Sequence, residues 1–245
     1  MRATELDEAH QEATASERWR GLYRTGGIAA HLIAALLLGE VVVFAVLPRT
    51  ETAVEYFESF ADDRFVGLLT LDLLGIIAYL LFIPVILALY VALHEASEAV
   101  MAVATALFFV GIADFFATNT AFPVLALSEQ YANATTDAER TAVLGAGRAL
   151  FALFNENAFL FSYVLVSGAW AMIAAVMLRV GTFGRATGLA GVLAGVTGIL
   201  AVLLEHVSAD LGDPAIALYF AAIVSLFVWV VLVGLRLHRI SATRS

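Results

Sequence analysis

Apolar residues fill long stretches of the chain, and polar residues gather in the shorter segments between them. Six stretches are long enough for a helix that crosses a bilayer core, which needs about 20 mostly apolar residues. They cover about residues 26–47, 65–93, 99–118, 148–178, 186–207 and 214–237. The pattern therefore predicts an all-α protein, a polytopic transmembrane helical bundle of six spans.

Arginine positions predict the orientation of this bundle. All 13 basic residues are arginine; nine lie on the side that holds both termini, and four lie on the other side. Because positive residues close to spans favour the cytosolic side, we expect both termini inside, in the cell membrane. Residues 1–24 then form a polar cytosolic extension, residues 25–238 the transmembrane domain and residues 239–245 a cytosolic tail. The extension has no apolar run, so no cleavable signal peptide is expected.

Composition agrees with a membrane protein and excludes several kinds of site. The chain is 62% hydrophobic and 14% charged, whereas soluble domains are about 45–50% apolar and about 25% charged. It has no cysteine, which excludes disulfides and thiolate metal sites. A net charge of −9 argues against nucleic acid as a partner, since phosphate contacts need clustered basic residues. The partners we expect are membrane lipid and a proton or cation.

Acidic residues inside the predicted spans are the main functional signal. One lies in each of the first five helices, and all five fall in the predicted outer half of the bilayer. Together with polar neighbours at similar depth they form the candidate cavity or cation-binding set: Glu40, Asp72, Asp114, Asn155, Glu156, Glu205 and His206. A charge at the bilayer centre costs about 2.5–3.5 kcal/mol, so such residues usually face the bundle interior or a water-filled cavity.

Five acids near a single arginine, Arg148, cannot all stay ionised and close together. Some must be protonated, or balanced by a bound cation, or reached by water. Spacing along the fourth span places Glu156, Tyr163 and Ser167 on one face, which predicts the lining of an acidic cavity open to the outside. On the first span His31 lies opposite Glu40, so we interpret His31 as a helix-contact residue.

The longest outer segment precedes the fourth span. Thr136 and Glu139 have the spacing of a capping box, which starts a helix. A helix from there through the fourth span would be about 60 Å long, about twice the thickness of the bilayer core. We therefore expect it either to protrude outward or to break, with Gly145 and Gly147 as the natural place for a break. Asn133 begins an Asn-Ala-Thr triplet that matches a glycosylation acceptor.

Glycines are frequent in the fifth span. Gly184 with Gly188, and Gly191 with Gly195, are small-xxx-small pairs that let two helix backbones approach closely. We expect these residues to pack inside the bundle rather than to bind a ligand.

Three segments resemble a known family, the six-helix membrane proteins called domain of unknown function 4386. The segments are Arg24–Ala30, the acid-containing Leu71–Leu74 with Leu87–Leu93 in the second span, and the glycine-rich Gly184–Gly191. The family usually has a proline before the fifth span, where this chain has Phe183. The resemblance covers about residues 18–237 and implies six helices with no agreed activity.

Several functions agree with this sequence. The first is proton- or cation-linked transport, or small-ligand binding, in the acidic cavity. An alternative is a membrane-embedded, metal-dependent hydrolase acting on a lipid. Its carboxylates would suit a harder cation than zinc, because His206 is the only outer histidine. Haem would need His31 and His206, which lie at opposite depths, and a non-catalytic scaffold is a further alternative. Catalytic residues, metal and cofactor are not assigned from the sequence, and whether the protein is an enzyme stays open.

Overall fold

The computed structural model describes residues 3–47, 52–153, 159–207 and 212–243. Within these ranges the regular structure is helical, with one 3₁₀ turn at His94–Ala96. The α-helices are α1 (Ala3–Val46), α2 (Ala53–Asp62), α3 (Arg64–Thr70), α4 (Leu73–Leu93), α5 (Glu98–Thr118), α6 (Ala121–Asn133), α7 (Asp137–Leu153), α8 (Phe159–Val180), α9 (Arg185–Val207) and α10 (Gly212–Thr243). The predicted all-α class is confirmed.

Six helical segments are long and apolar enough to cross a membrane. They are Trp19–Val46, Leu73–Ala96, Glu98–Asn133, Leu160–Val180, Arg185–His206 and Pro214–Ala242. Many large apolar side chains on their outer faces are exposed, among them Phe44, Val110 and Phe220. Exposed apolar faces of this length are stable in lipid, not in water. The chain is therefore a multi-pass membrane protein.

The long helices pack as antiparallel neighbours. Helix α1 lies between α4 and α10, α9 lies between α10 and α8, and α8 also packs on α5. The 3₁₀ turn joins α4 to α5 and completes a ring of six helices. At its centre the rings of Phe108, Phe82, Trp170 and Trp229 follow one another with centroids 5.9, 5.4 and 6.4 Å apart. This aromatic core comes from α4, α5, α8 and α10.

Four shorter helices, α2, α3, α6 and α7, gather where α1 and α5 end and where α4 and α8 begin. We call this the capped end of the bundle. Phe57 and Phe60 of α2 are buried with Leu71 and with Ala121 and Val124 of α6. The shorter helices thus have an apolar cluster of their own, separate from the aromatic core.

A salt bridge also ties two of these shorter helices together. It joins Arg64 Nη2 of α3 to Glu129 Oε1 of α6 at 2.7 Å. Both side chains are exposed, so this pair adds little to stability.

Helices at the capped end break at places that the apolar pattern does not mark. The second stretch divides at Leu71 and Asp72, so the transmembrane helix α4 begins at Leu73 rather than near Phe65. Of the two predicted alternatives, the break at Gly145 or Gly147 is wrong, because α7 continues across both glycines. Gly147 serves packing instead: a Cβ there would lie 2.9 Å from Cζ of Phe57.

Candidate functional site

Asp72 stands at the sharp junction between α3 and α4. Its φ of +69° and ψ of +32° are left-handed, a conformation that aspartate tolerates better than most residues. Its backbone carbonyl accepts the Ile76 amide at 3.0 Å. A Cβ at Gly75 would collide with the Asp72 carboxylate, so the carboxylate folds back over the first turn of α4. Glycine at this position is what makes room for it.

Glu40 of α1 lies beside that carboxylate. The two helices are close at this level, since a Cβ at Gly39 would lie 3.3 Å from Cδ1 of Leu74. Glu40 and Asp72 are both half-buried, and they are close enough to interact electrostatically. Two acids that lie 32 positions apart in the sequence are therefore neighbours in the bundle.

Tyrosines extend this pair of acids into the bundle. Tyr79, on the same face of α4 as Asp72, interacts electrostatically with both acids and with Tyr163 of α8. The side chains of Tyr79 and Ser162 are hydrogen bonded, and Ser162 Oγ donates to the Gly111 carbonyl at 2.9 Å.

These five residues, Glu40, Asp72, Tyr79, Ser162 and Tyr163, are the acid–tyrosine cluster. They come from α1, the α3–α4 junction, α4 and α8. Ser162 is buried, and the other four are half-buried. The cluster therefore lies between helices, at the capped end of the ring.

Glu205 of α9 connects to the cluster through two aromatic rings. The Tyr219 hydroxyl of α10 donates to Glu205 Oε2 at 2.6 Å, and the Tyr219 ring meets the Tyr163 ring edge-on with centroids 6.0 Å apart. His206 is not part of this connection, because its Nδ1 is hydrogen bonded to the Val202 carbonyl of its own helix at 2.7 Å. Glu205 and His206 are adjacent in sequence but have separate environments.

The other candidate residues do not join the cluster in the described part of the chain. Asp114 of α5 is half-buried, and its Oδ2 is buried without a hydrogen-bond partner among the described residues. Its backbone carbonyl accepts the Thr118 hydroxyl at 2.6 Å, as expected of residues four apart on a helix. Arg148 is exposed on α7. Asn155 and Glu156 lie outside the described residues.

Ser167 and His31 are contacts between helices. Ser167 is fully buried, and a Cβ at Gly198 of α9 would lie 2.9 Å from its Oγ. It therefore faces a helix rather than lining a cavity, because the glycines of α9 bring the two backbones together. The ring of His31 stacks on that of His238 with centroids 5.3 Å apart, which confirms the interpretation of His31 as a helix-contact residue.

Metal ligation has no support from the side chains that the structure places. Among the described residues, no three His, Cys, Asp or Glu side chains form a group suited to a metal ion. Glu40 and Asp72 together offer two carboxylates, which is one short of such a group.

Three polar members of the site were missed from the sequence. Tyr79 follows Asp72 by seven residues, so the spacing alone places it two turns along the same face. Ser162 and Tyr219 gave no such signal, because their partners Tyr79 and Glu205 are on other helices. The alignment of those helices decides which residues meet.

The chain was compared with known protein families, curated proteins and solved structures. Residues 24–234 match the family described as Domain of unknown function (DUF4386). No match was found among curated proteins or among solved structures.

Proposed function

Because the chain belongs to the DUF4386 family, whose description assigns no activity, we propose a function from its own residues: proton-linked transport of a small solute across the cell membrane, with the acid–tyrosine cluster as the proton-binding site. The observation that carries this proposal is the approach of Glu40 to Asp72 between transmembrane helices.

Two neighbouring carboxylates in a bundle of low dielectric repel each other when both are ionised. A shared proton removes that repulsion, and the pair then titrates as one unit. Intramembrane acids of this kind are typical of proton relays in pumps and transporters. A proton suits this site better than a metal ion, because the described side chains offer two carboxylates and no third ligand.

The hydroxyl groups around the acids support proton exchange. Tyr79 links the acids to Ser162, and Tyr163 and Tyr219 lead towards Glu205. Hydroxyl groups both donate and accept hydrogen bonds, so a hydroxyl group near the acids can serve either a protonated or an ionised carboxyl group. The cluster lies at the capped end, which is the outer end under the arginine-based orientation.

Infrared spectroscopy tests whether the pair holds a proton. The full chain in lipid nanodiscs would be measured as wild type, Glu40→Gln and Asp72→Asn, recording the C=O stretching band of protonated carboxyl groups against pH. We expect a protonated-carboxyl band in the wild type that is lost in both variants, because removing either acid removes the shared proton.

Glu58→Gln is the control, since Glu58 is an exposed acid on α2. It should leave the band unchanged. A band unaffected by both cluster variants would disprove proton binding by this pair and favour a scaffold. A stoichiometric metal in purified wild type that is absent from Glu40→Gln would instead support the metal-dependent lipid hydrolase.

A further inference from the structure

A groove opens between α9 and α10 at the end of the bundle opposite the capped end. It has a volume of about 340 Å³ and is lined by the α8–α9 turn, the first residues of α9 and the last turns of α10. Arg185, Arg236 and Arg239 all line it. We call it the arginine groove. It lies far from the acid–tyrosine cluster and does not depend on the function proposed for that cluster.

Local backbone geometry places the arginines around one opening. Gly181 and Gly184 both have positive φ, +69° and +82°, which glycine adopts without strain. The tight turn that they form places Arg185 at the first position of α9. Because Gly184 has no side chain, Nη2 of Arg236 comes within 3.2 Å of where a Cβ would be.

The electrostatics of the groove favour an anion. Arg185 and Arg236 make no hydrogen bond or ion pair within the part of the chain that the structure describes, and no acidic residue lines the groove. The first amide groups of α9 add partial positive charge, because a helix N-terminus leaves its N–H groups without intrahelical acceptors. Guanidinium groups bind phosphate oxygens in pairs, with both charge and shape matched.

The apolar part of the groove indicates that the anionic group belongs to a lipid. Leu232 and Leu235 of α10 line the same groove, and Leu235 is exposed on the outer face of the bundle. The phosphate site is therefore continuous with a surface that contacts acyl chains. Basic pockets between transmembrane helices suit anionic headgroups.

We propose that the arginine groove binds an anionic phospholipid. The headgroup phosphate lies between Arg185 and Arg236, and an acyl chain runs along Leu232 and Leu235. A free phosphate ion would satisfy only the basic half of this groove.

Native mass spectrometry of the full chain tests the proposal. The protein in detergent would be mixed with phosphatidylglycerol or phosphatidylcholine, and bound lipid would be measured as detergent is increased. We expect phosphatidylglycerol to be retained in preference to phosphatidylcholine. Each arginine in contact with the headgroup adds about 1 kcal/mol to the binding of anionic lipid, so Arg185→Gln with Arg236→Gln should weaken retention about 25-fold.

Arg179→Gln is the matched control, since Arg179 lies in the last turn of α8 and does not line the groove. It should change retention less than twofold. Arg236→Lys keeps the charge but not the paired hydrogen bonds, so it should retain more lipid than Arg236→Gln and less than the wild type, which distinguishes loss of the site from loss of the fold. Equal retention of both lipids, or equal loss in the control, would overturn the proposal. Displacement of phosphatidylglycerol by equimolar inorganic phosphate would assign the groove to a free anion instead.

Discussion

Gly195 shows at residue scale what the glycines of α9 do. A Cβ there would collide with the Ser167 carbonyl and lie 2.7 Å from Cβ of Ala171. The Ser167 carbonyl belongs to the backbone of a packed helix and cannot move aside. We expect Gly195→Ala to destabilise the protein by about 1–3 kcal/mol, measured as the free energy of unfolding in detergent.

Gly168 of α8 provides the comparison, because a Cβ there meets no atom within 4 Å. Gly168→Ala should leave stability unchanged or raise it by up to about 1 kcal/mol through helix propensity. If both substitutions destabilise the protein equally, the close approach of α8 and α9 is not the reason why glycine is required at position 195. The sequence predicted this packing for Gly188, Gly191 and Gly195. Gly184 differs, because it forms the turn before α9.

Asp72 carries a backbone role as well as a charge. Its left-handed φ of +69° costs most residues about 1–2 kcal/mol. Asp72→Gly should therefore keep the α3–α4 junction and the thermal stability, while Asp72→Val should lower the free energy of unfolding by at least about 1 kcal/mol. Circular dichroism melts in detergent measure both. If valine proves as stable as glycine, the junction does not hold Asp72 in this conformation.

Helix α7 is an element whose start depends on ionisation. Glu139 Oε2 accepts the Thr135 amide at 2.8 Å and the Thr136 amide at 3.2 Å, and Thr136 Oγ1 accepts the Glu139 amide. These hydrogen bonds from Thr135 and Thr136 lower the pKa of Glu139 below its usual 4.5. A lowered pKa means that the cap stabilises the helix above the unfolded-state pKa and is lost as the pH falls through the folded-state value.

We expect the first turn of α7 to keep its protection from hydrogen exchange at neutral pH and to lose it in acid, after correction for the intrinsic exchange rate. Glu139→Gln preserves the shape of the cap without a titrating group, so its protection should not depend on pH in that range. Thr136→Ala removes one half of the cap and should lower protection at every pH. Identical pH profiles for wild type and Glu139→Gln would contradict this account.

The sequence predicted elements well where burial in lipid dictates them and less well elsewhere. Long apolar runs marked all six transmembrane helices, because lipid accepts hardly any other backbone structure. It did not predict the division at Leu71, since an apolar run continues across that junction. The capping residues Thr136 and Glu139 predicted where α7 begins.

For the whole molecule, the sequence predicts the faces of single helices but not how the helices are arranged around the site. Helical spacing predicts which residues share a face of one helix, and it placed acids at similar depths on separate helices. It does not give the order of helices around the ring. That order brings Glu40 to Asp72 and joins Glu205 to Tyr219, whereas Asp114 Oδ2 has no hydrogen-bond partner among the described residues.

Orientation in the membrane is a property of the whole molecule, and arginines predict it. Of the described residues, Arg24, Arg179, Arg185 and Arg236 belong to the end opposite the capped end, which should therefore be cytosolic. The chain has no cysteine, so single-cysteine variants need no background mutations. In intact cells, a membrane-impermeant maleimide should label Ala142→Cys on α7 and should label Thr182→Cys, in the α8–α9 turn, only after the cells are opened. The opposite result would reverse the topology and place the acid–tyrosine cluster towards the cytosol.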